Sequence, residues 1–257
     1  MKALDRFSLS GKRAVVTGAS RGIGRAIALG FADAGADVAL VGRKLESLQV
    51  VAKEIEDRGP QRALPIACHM GKVADIDRMV DEVLTQWGAI EVLVNNAGTN
   101  PVMGPLTGME EPAWDKIMDV NLKGPYLASI RVAQAMSERG EGGKIINVSS
   151  GASLDPAPML GAYSVSKAAL NHLTRVLAKE CGPAKICVNA IAPGLIETHF
   201  AAALISNPVI HQMIIRQTPL GRHGQPDEIV GAAIFLASSA SDFMTGQVIV
   251  VDGGVRM

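Results

Sequence analysis

Short apolar runs alternate with longer amphipathic ones along nearly the whole chain. Arg13 to Thr17, Val38 to Val41, Ala63 to Cys68, Ile90 to Val94, Lys144 to Val148, Ile186 to Ile191 and Gln247 to Val251 each read as a short strand. Arg21 to Ala34, Leu45 to Arg58, Ile76 to Trp87, Glu111 to Glu138, Tyr163 to Leu177 and Asp227 to Ser238 carry apolar residues at helical spacing. Gly35 closes the first helix, Gly59-Pro60 stops the second, and Pro112 suits the start of the fourth. Strands that are apolar throughout and separated by helices imply a parallel sheet covered on both faces. The expected fold class is α/β: a doubly wound (Rossmann) parallel seven-stranded sheet with helices on both faces. Such a sheet binds ligands at the carboxyl ends of its strands. No repeat, low-complexity segment or linker interrupts the pattern, so a single domain over residues 1–257 is expected.

Composition narrows the function classes. The 257 residues are 48% hydrophobic and 19% charged, as in an ordinary water-soluble globule. Formal net charge is zero, which leaves no electrostatic footprint for nucleic acid and no basic tract for a membrane surface. No apolar run reaches the roughly 20 residues of a membrane span. Cys68, Cys181 and Cys187 form no CxxC pair, and the five histidines show no HExxH pattern, so no metal site is expected. The odd cysteine count suits a reducing compartment. The first residues, Met1 to Phe7, lack the apolar stretch of a signal peptide, and Val255-Arg256-Met257 is not a peroxisomal address. A cytoplasmic location is the expectation.

Candidate chemistry begins directly after the first strand. Thr17-Gly18-Ala19-Ser20-Arg21-Gly22-Ile23-Gly24 leads into a helix with the spacing G-x-x-x-G-x-G. Glycines let the backbone turn sharply and approach a pyrophosphate, and the helix start adds free N–H groups and a favourable dipole. The strand–turn–helix context points to a dinucleotide. An NAD site usually places an acidic residue about 20 residues further on, for the ribose hydroxyls. Here the second strand ends in Gly42-Arg43-Lys44, and the nearest acid, Asp37, is at the wrong end of that strand. Arg43, with Arg21 from the loop, can meet a 2′-phosphate instead. NADP(H) is the preferred cofactor, with NAD(H) possible.

Tyr163 and Lys167 are four residues apart, on one helical face. A phenol ordinarily loses its proton near pH ~10. A neighbouring ammonium lowers that value and fits the phenol for proton transfer to an alkoxide or from an alcohol. The pair alone occurs on many solvated helices. It gains weight from Asn95-Asn96-Ala97-Gly98 after the fourth strand, from Asn121 and Ser150, and from Pro193-Gly194 after the sixth strand.

With these motifs in this order the chain resembles the short-chain dehydrogenase/reductase family, from about Leu9 to Gly254, and within it the 3-oxoacyl-carrier-protein reductase and carbonyl reductase groups. The resemblance implies roles. Tyr163 would be the general acid in carbonyl reduction and the base in alcohol oxidation. Lys167 would lower its pKa and hydrogen-bond the nicotinamide ribose. Ser150 would hold the substrate oxygen; Ser149 competes for that role, and the family's spacing favours Ser150. Asn121 would hold a water that connects Lys167 to solvent, and is also read as a buried amide that distorts its helix. Asn95, Ala97 and Gly98 would line the adenine ribose and the nicotinamide side of the cleft. Pro193, Gly194 and Ile196 to Thr198 would contact the carboxamide and phosphates. Where the family often has an Asp for the adenine amine, this chain has Cys68-His69-Met70-Gly71. His69 could offer a ring nitrogen and Met70 a backbone donor, as in related carbonyl and retinal reductases.

Leu195 to Thr218 is apolar-rich and corresponds to the family's mobile substrate lid, with Leu154, Met159 and Met103 as further candidates to line the pocket. This suits a small-molecule carbonyl or alcohol substrate. By resemblance, apolar faces near Ala113 to Ser137 and Tyr163 to Lys179 would form homotetramer interfaces. The alternatives are an NAD(H)-linked sugar or polyol dehydrogenase on the same fold and a catalytically inactive dinucleotide-sensing protein. The presence of Tyr163, Lys167 and Ser150 speaks against the latter.

Overall fold

A computed structural model describes residues 2–256; the terminal methionines Met1 and Met257, and with them the ends of the N- and C-terminal readings, lie outside the described residues. Seven strands, β1 (Arg13–Thr17), β2 (Asp37–Gly42), β3 (Ala63–Ala67), β4 (Val92–Asn95), β5 (Gly143–Val148), β6 (Ile186–Pro193) and β7 (Val248–Val251), form one sheet in the order β3-β2-β1-β4-β5-β6-β7. Every pairing is parallel. The order reverses direction between β1 and β4, which opens a crevice at the carboxyl ends of these two strands.

Alternation along each strand divides the core in two. Ala14 and Val16 of β1 and Val38 and Leu40 of β2 face one layer, with Ile27 and Phe31 of α1 (Gly22–Asp33) and Leu48 and Ile55 of α2 (Leu45–Arg58). Val15, Ala39 and Val41 face the other, against Ile76, Met79 and Val83 of α3 (Val73–Trp87). All of these side chains are buried, each worth about 1.5–3 kcal/mol for the larger ones. Helix ends follow sequence chemistry: α3 stops at Gly88, which takes φ 76° as the left-handed cap that ordinary residues avoid.

The expected single helix from Glu111 to Glu138 is a correction. It is α4 (Glu111–Met118), a π-helical turn (Asp119–Lys123) and α5 (Gly124–Arg139). Pro125 has no N–H for the Asn121 carbonyl four residues back, so regular α-helical bonding fails there. Gly124 also lies against the Met70 carbonyl, where a Cβ would come within 2.2 Å. The next helix, α6 (Gly161–Cys181), starts two residues before Tyr163, and its Leu177 and Ala178 join the second layer. The expected Asp227 to Ser238 helix is a 3-10 turn (Pro226–Ile229) followed by α9 (Val230–Ala237). Between β6 and α9, where no helix was expected, lie α7 (Ala202–Ser206) and α8 (Pro208–Arg216).

At the opposite edge from the crevice, Glu91 is buried and bound by two arginines. Arg13 donates to it from its backbone N at 2.8 Å and from Nε at 2.9 Å, and Arg139 pairs with the same carboxylate. These charge-assisted bonds hold Glu91 below the usual carboxylate range against the opposing effect of burial. They tie β1 to α5 at the sheet's amino-terminal edge.

Candidate active site

The glycine turn sits on the carboxyl end of β1 and is braced from β4. Thr17 Oγ1 donates to the Val94 carbonyl at 3.1 Å and accepts from the backbone N–H of Asn96 (2.9 Å) and Ala97 (3.1 Å). Asn96 Nδ2 donates to the carbonyls of Thr17 (2.8 Å) and Gly18 (3.2 Å). A Cβ on Gly24 would fall 2.3 Å from both Asn96 Nδ2 and Gly18 O, so this glycine is required by close packing of the turn. Thr17 and Asn96 lie inside the motifs quoted above but were given no role; their signal was their place beside the glycines.

No side chain caps the start of α1, which leaves the first N–H groups of Gly22, Ile23 and Gly24 free for an anion. Ser20 is half-buried in the turn beside them. Arg21 at the start of α1 and Arg43 just after β2 are exposed, and among the described residues neither is ion-paired. Asp37 is at the far end of β2, paired with Arg62 at 2.6 Å, as the sequence reading required. An uncapped helix start together with two free guanidinium groups fits a dinucleotide with an extra phosphate.

On the expected adenine side, His69 Nδ1 accepts from the Gly71 N–H at 3.1 Å and the His69 backbone N–H goes to Asp75 at 2.9 Å, which leaves Nε2 as the ring nitrogen outside these bonds. The Met70 side chain is buried, so a contact from this residue falls to its backbone. Asn95 points into the interior: Nδ2 donates to Ser129 of α5 (3.0 Å) and Asn147 of β5 (2.9 Å), so any ligand contact from Asn95 falls to its backbone. Ala97 and Gly98 do reach the crevice. A Cβ on Gly98 would lie 3.6 Å from Asn121 Oδ1 and 3.7 Å from Lys167 Nζ.

The four residues expected to carry the chemistry meet where β5, α6 and the π-helical turn converge. Ser149 is buried, its hydroxyl donating to the Lys167 carbonyl at 3.3 Å, whereas Ser150 is half-buried with its hydroxyl on the cleft side and accepting from Ala152 N–H at 3.1 Å. Ser149 is thus spent on structure and Ser150 is the one beside Tyr163. Lys167 is buried, and its Nζ donates to the Val148 carbonyl at 2.7 Å. Asn121 is fully buried: Oδ1 accepts from Thr99 N–H (2.7 Å), and Nδ2 donates to the Thr99 carbonyl (2.9 Å) and Ser166 (3.1 Å). Both amide hydrogens of Nδ2 and one lone pair of Oδ1 are used in these bonds, and Pro125 cannot donate to the Asn121 main-chain carbonyl four residues back.

Burial pushes the Tyr163 phenol up, and the Ser150 hydroxyl opposes this. The Lys167 ammonium is held on the Val148 carbonyl, 5.8 Å from the centre of the phenol ring. Burial brings Lys167 itself down to about 8. The four-residue spacing brings the two groups together without by itself producing an acidic phenol.

Beside this site runs the segment after β6, where the lid was expected. The Gly194 N–H donates to Val251 at 3.0 Å, and a Cβ there would meet Asp252 Cα at 2.8 Å, so Pro193-Gly194 turns tightly off the end of β6. Ile196 is buried and bridges Gly224; the Thr198 methyl faces Gly22. The Phe200 ring packs 5.4 Å from the Tyr163 ring. Met103 and Met159 are exposed and brought together by the Gly104 N–H donating to the Met159 carbonyl at 3.0 Å. One cation escaped the lid-centred reading: Arg256 pairs with Asp155 at 2.9 Å and lies 3.4 Å from the Gly151 carbonyl, beside the Ser150 turn. Among the described residues no group of His, Cys, Asp and Glu could hold a metal ion, and no helix is long and apolar enough to cross a membrane.

Comparison with known proteins agrees with this geometry. The family model for enoyl-(acyl carrier protein) reductases matches residues 18–256. The chain is 39% identical to gluconate 5-dehydrogenase of Gluconobacter oxydans (strain 621H) over 98% of both chains. It is 39% identical to dehydrogenase/reductase SDR family member 4 of Oryctolagus cuniculus, over 97% of this chain and 95% of that one. The crystal structure of a gluconate 5-dehydrogenase from Burkholderia cenocepacia J2315 in complex with NADP and tartrate superposes with a TM-score of 0.94 at 39% identity, covering 99% of this chain and 98% of that one. Whole-chain matches at 39% identity to these oxidoreductases, together with the family model over residues 18–256 and the seven-stranded parallel sheet, make this protein an oxidoreductase of the short-chain dehydrogenase/reductase family.

Proposed function

We propose that the protein interconverts a ketone or aldehyde and its alcohol with NADP(H) as the preferred dinucleotide. The observation that carries this reading is the convergence of Ser150, Tyr163 and buried Lys167 at the strand ends, next to an uncapped helix start, with Arg21 and Arg43 free. Gly18, Ser20 and the first turn of α1 would hold the pyrophosphate, Arg43 and Arg21 the 2′-phosphate, and Ala97, Gly98, Pro193, Gly194, Ile196 and Thr198 the nicotinamide half. The dinucleotide supplies or accepts the hydride. Ser150 orients the substrate oxygen toward Tyr163, whose phenol is protonated at neutral pH because burial raises it. It therefore gives its proton to the developing alkoxide in reduction. Lys167 stands behind the phenol to resupply charge and proton, with Asn121 shaping the channel from the π-helical turn.

A second reading, a hydroxy or keto acid of sugar type, is favoured by Arg256 beside the Ser150 turn and by the gluconate dehydrogenases among the relatives. NADPH and NADH oxidation over a panel of acetoacetyl thioesters, diketones, aromatic ketones, retinal-like aldehydes and keto-sugar acids separates the two. Turnover confined to NADH, or to no member of the panel, would overturn the reading. Arg43→Ala tests the dinucleotide. It is expected to weaken NADPH binding by about 10-fold or more, the weight of one or two hydrogen bonds to a charged group, and to leave NADH binding nearly unchanged. Equal loss with both would refute the 2′-phosphate assignment. We also read the protein as a cytoplasmic homotetramer. Tyr126 on α5 and Val165 and Val176 on α6 are exposed apolar side chains in keeping with such interfaces, and sedimentation at micromolar concentration tests it.

A further inference from the structure

We propose that Glu197, His223 and His211 form a hydrogen-bonded latch that couples the dinucleotide-contacting segment to the substrate lid, with both histidines acting as positioning residues for α8. The proposal rests on the functional reading above for one point only, that Ile196 and Thr198 contact the dinucleotide. Glu197 lies between them. Its carboxylate accepts from Gln225 Nε2 at 2.7 Å and meets His223 Nε2 at 3.2 Å. His223 Nδ1 in turn meets His211 Nε2 at 3.0 Å, and His211 belongs to α8. The two ends of the lid are already zipped by main-chain bonds, Glu197 N–H to Gly224 O (2.8 Å) and Gly224 N–H to Leu195 O (2.9 Å).

Nothing comparable holds the middle. Neither α7 nor α8 has a fully buried residue; Leu204, Ile205, Ile210, Ile214 and Ile215 are half-buried, so burial holds these helices more weakly than it holds the core. Among the described residues, His211 makes the only side-chain hydrogen bond from α8 to any residue outside 207–218.

The donors can be assigned. An ionised carboxylate only accepts, so His223 carries its proton on Nε2 and leaves Nδ1 as acceptor. His211 must then donate from Nε2. A first added proton goes to His211 Nδ1, outside the chain of bonds, and leaves the latch intact. A second has to land on His223 Nδ1, where two N–H groups would face each other across 3.0 Å. The latch therefore holds with both rings neutral or with one proton shared, and opens when both are charged. Other charged groups around it are balanced: Arg222 donates to the His223 carbonyl at 3.1 Å and is paired with Glu228 at 2.6 Å, and Glu228 also accepts from the Gln225 N–H. Asp252 shares a cavity of about 180 Å³ with Arg222 and Glu228, and Arg216 ends α8. Gln225 first and His223 second hold the Glu197 carboxyl below its usual range, so it stays an acceptor as pH falls.

The test compares His211→Leu, which removes the donor, with His211→Gln, which keeps an N–H at the same reach without titrating. Amide hydrogen exchange over residues 202–216 is read first, because it needs no turnover and stands whatever the substrate proves to be. His211→Leu is expected to speed exchange there by about fivefold, the equilibrium weight of one net hydrogen bond, and to raise KM for substrate by a similar factor. His211→Gln is expected to keep the parent's protection at pH 8 and, with the intrinsic exchange rate at each pH divided out, to escape the loss of protection expected of the parent at pH 5. Unchanged exchange in His211→Leu, or identical pH dependence in His211→Gln and the parent, overturns the latch. Altered exchange with unaltered KM keeps the latch and refutes its coupling to the substrate side.

Discussion

Tyr163→Phe is expected to lower kcat by about 10²–10⁴-fold, the range for loss of a positioned general acid, while the variant stays folded and binds dinucleotide with its parental affinity. The ring supplies packing and the hydroxyl supplies chemistry, and the substitution separates them. Tyr163 is 9% exposed, and its ring contact with Phe200 survives the change. Its hydroxyl is the one acid in the cleft that faces the Ser150 side chain, as the lowering influence of that serine on the phenol shows. Ser150 can orient a carbonyl oxygen but has no tendency to release its own proton near neutrality. No neighbour replaces it directly: Lys167 Nζ is held behind the phenol on the Val148 carbonyl, and Asn121 is bound to Thr99 and Ser166. Steady-state rates with the best substrate of the panel, beside dinucleotide titration by fluorescence, decide the matter. Parental turnover in Tyr163→Phe would refute the mechanism. Loss of dinucleotide binding together with turnover would instead place Tyr163 in cofactor recognition.

What the sequence made legible has a common physical basis. The central strands announce themselves because a parallel strand covered on both faces is apolar over most of its length, as Ala14-Val15-Val16 and Val92-Leu93-Val94 show. The glycine turn and the Tyr163–Lys167 pair are local patterns, and local patterns survive without coordinates. What escaped depends on contacts between distant segments. Asn95 reads as a cleft residue until Ser129 and Asn147 are seen to claim its amide. Which ring nitrogen of His69 could face a ligand is decided only when Gly71 is seen to bind Nδ1. The helix break at Asn121 did leave a signal, Gly124-Pro125 inside an apolar stripe, that periodicity alone runs straight through. The latch left none: Glu197, His211 and His223 are spread over 27 positions and become neighbours only when both ends of the lid meet at Gly224.

Lys167 is expected to make the protein less stable at neutral pH than it would be without this charge. Burial lowers the folded-state pKa to about 8 from 10.5. Below pH 8 both folded and unfolded chains hold the proton, and the folded chain alone bears the cost of a desolvated ammonium. Between about pH 8 and 10.5 the folded chain releases it while the unfolded chain keeps it, so this residue's contribution to stability rises with pH across that window. A shift of that size corresponds to roughly 3 kcal/mol. Lys167→Met keeps the length and packing of the stem, and it forfeits the bond to the Val148 carbonyl, worth about 1 kcal/mol. The variant is therefore expected to be more stable than the parent by about 1–2 kcal/mol at pH 7, with turnover lost, and to have no advantage at pH 10. Urea unfolding of both proteins at the two pH values measures the difference, from which all other titrating groups cancel. Parallel stabilities at pH 7 and pH 10 would refute the buried charge. The opposite sign, a variant destabilised at pH 7, would mean that the ammonium is solvated or paired in the folded protein. On the proposed mechanism the fold retains this cost because the charge serves the proton exchange of Tyr163, whose phenol burial shifts in the same sense, toward its neutral form.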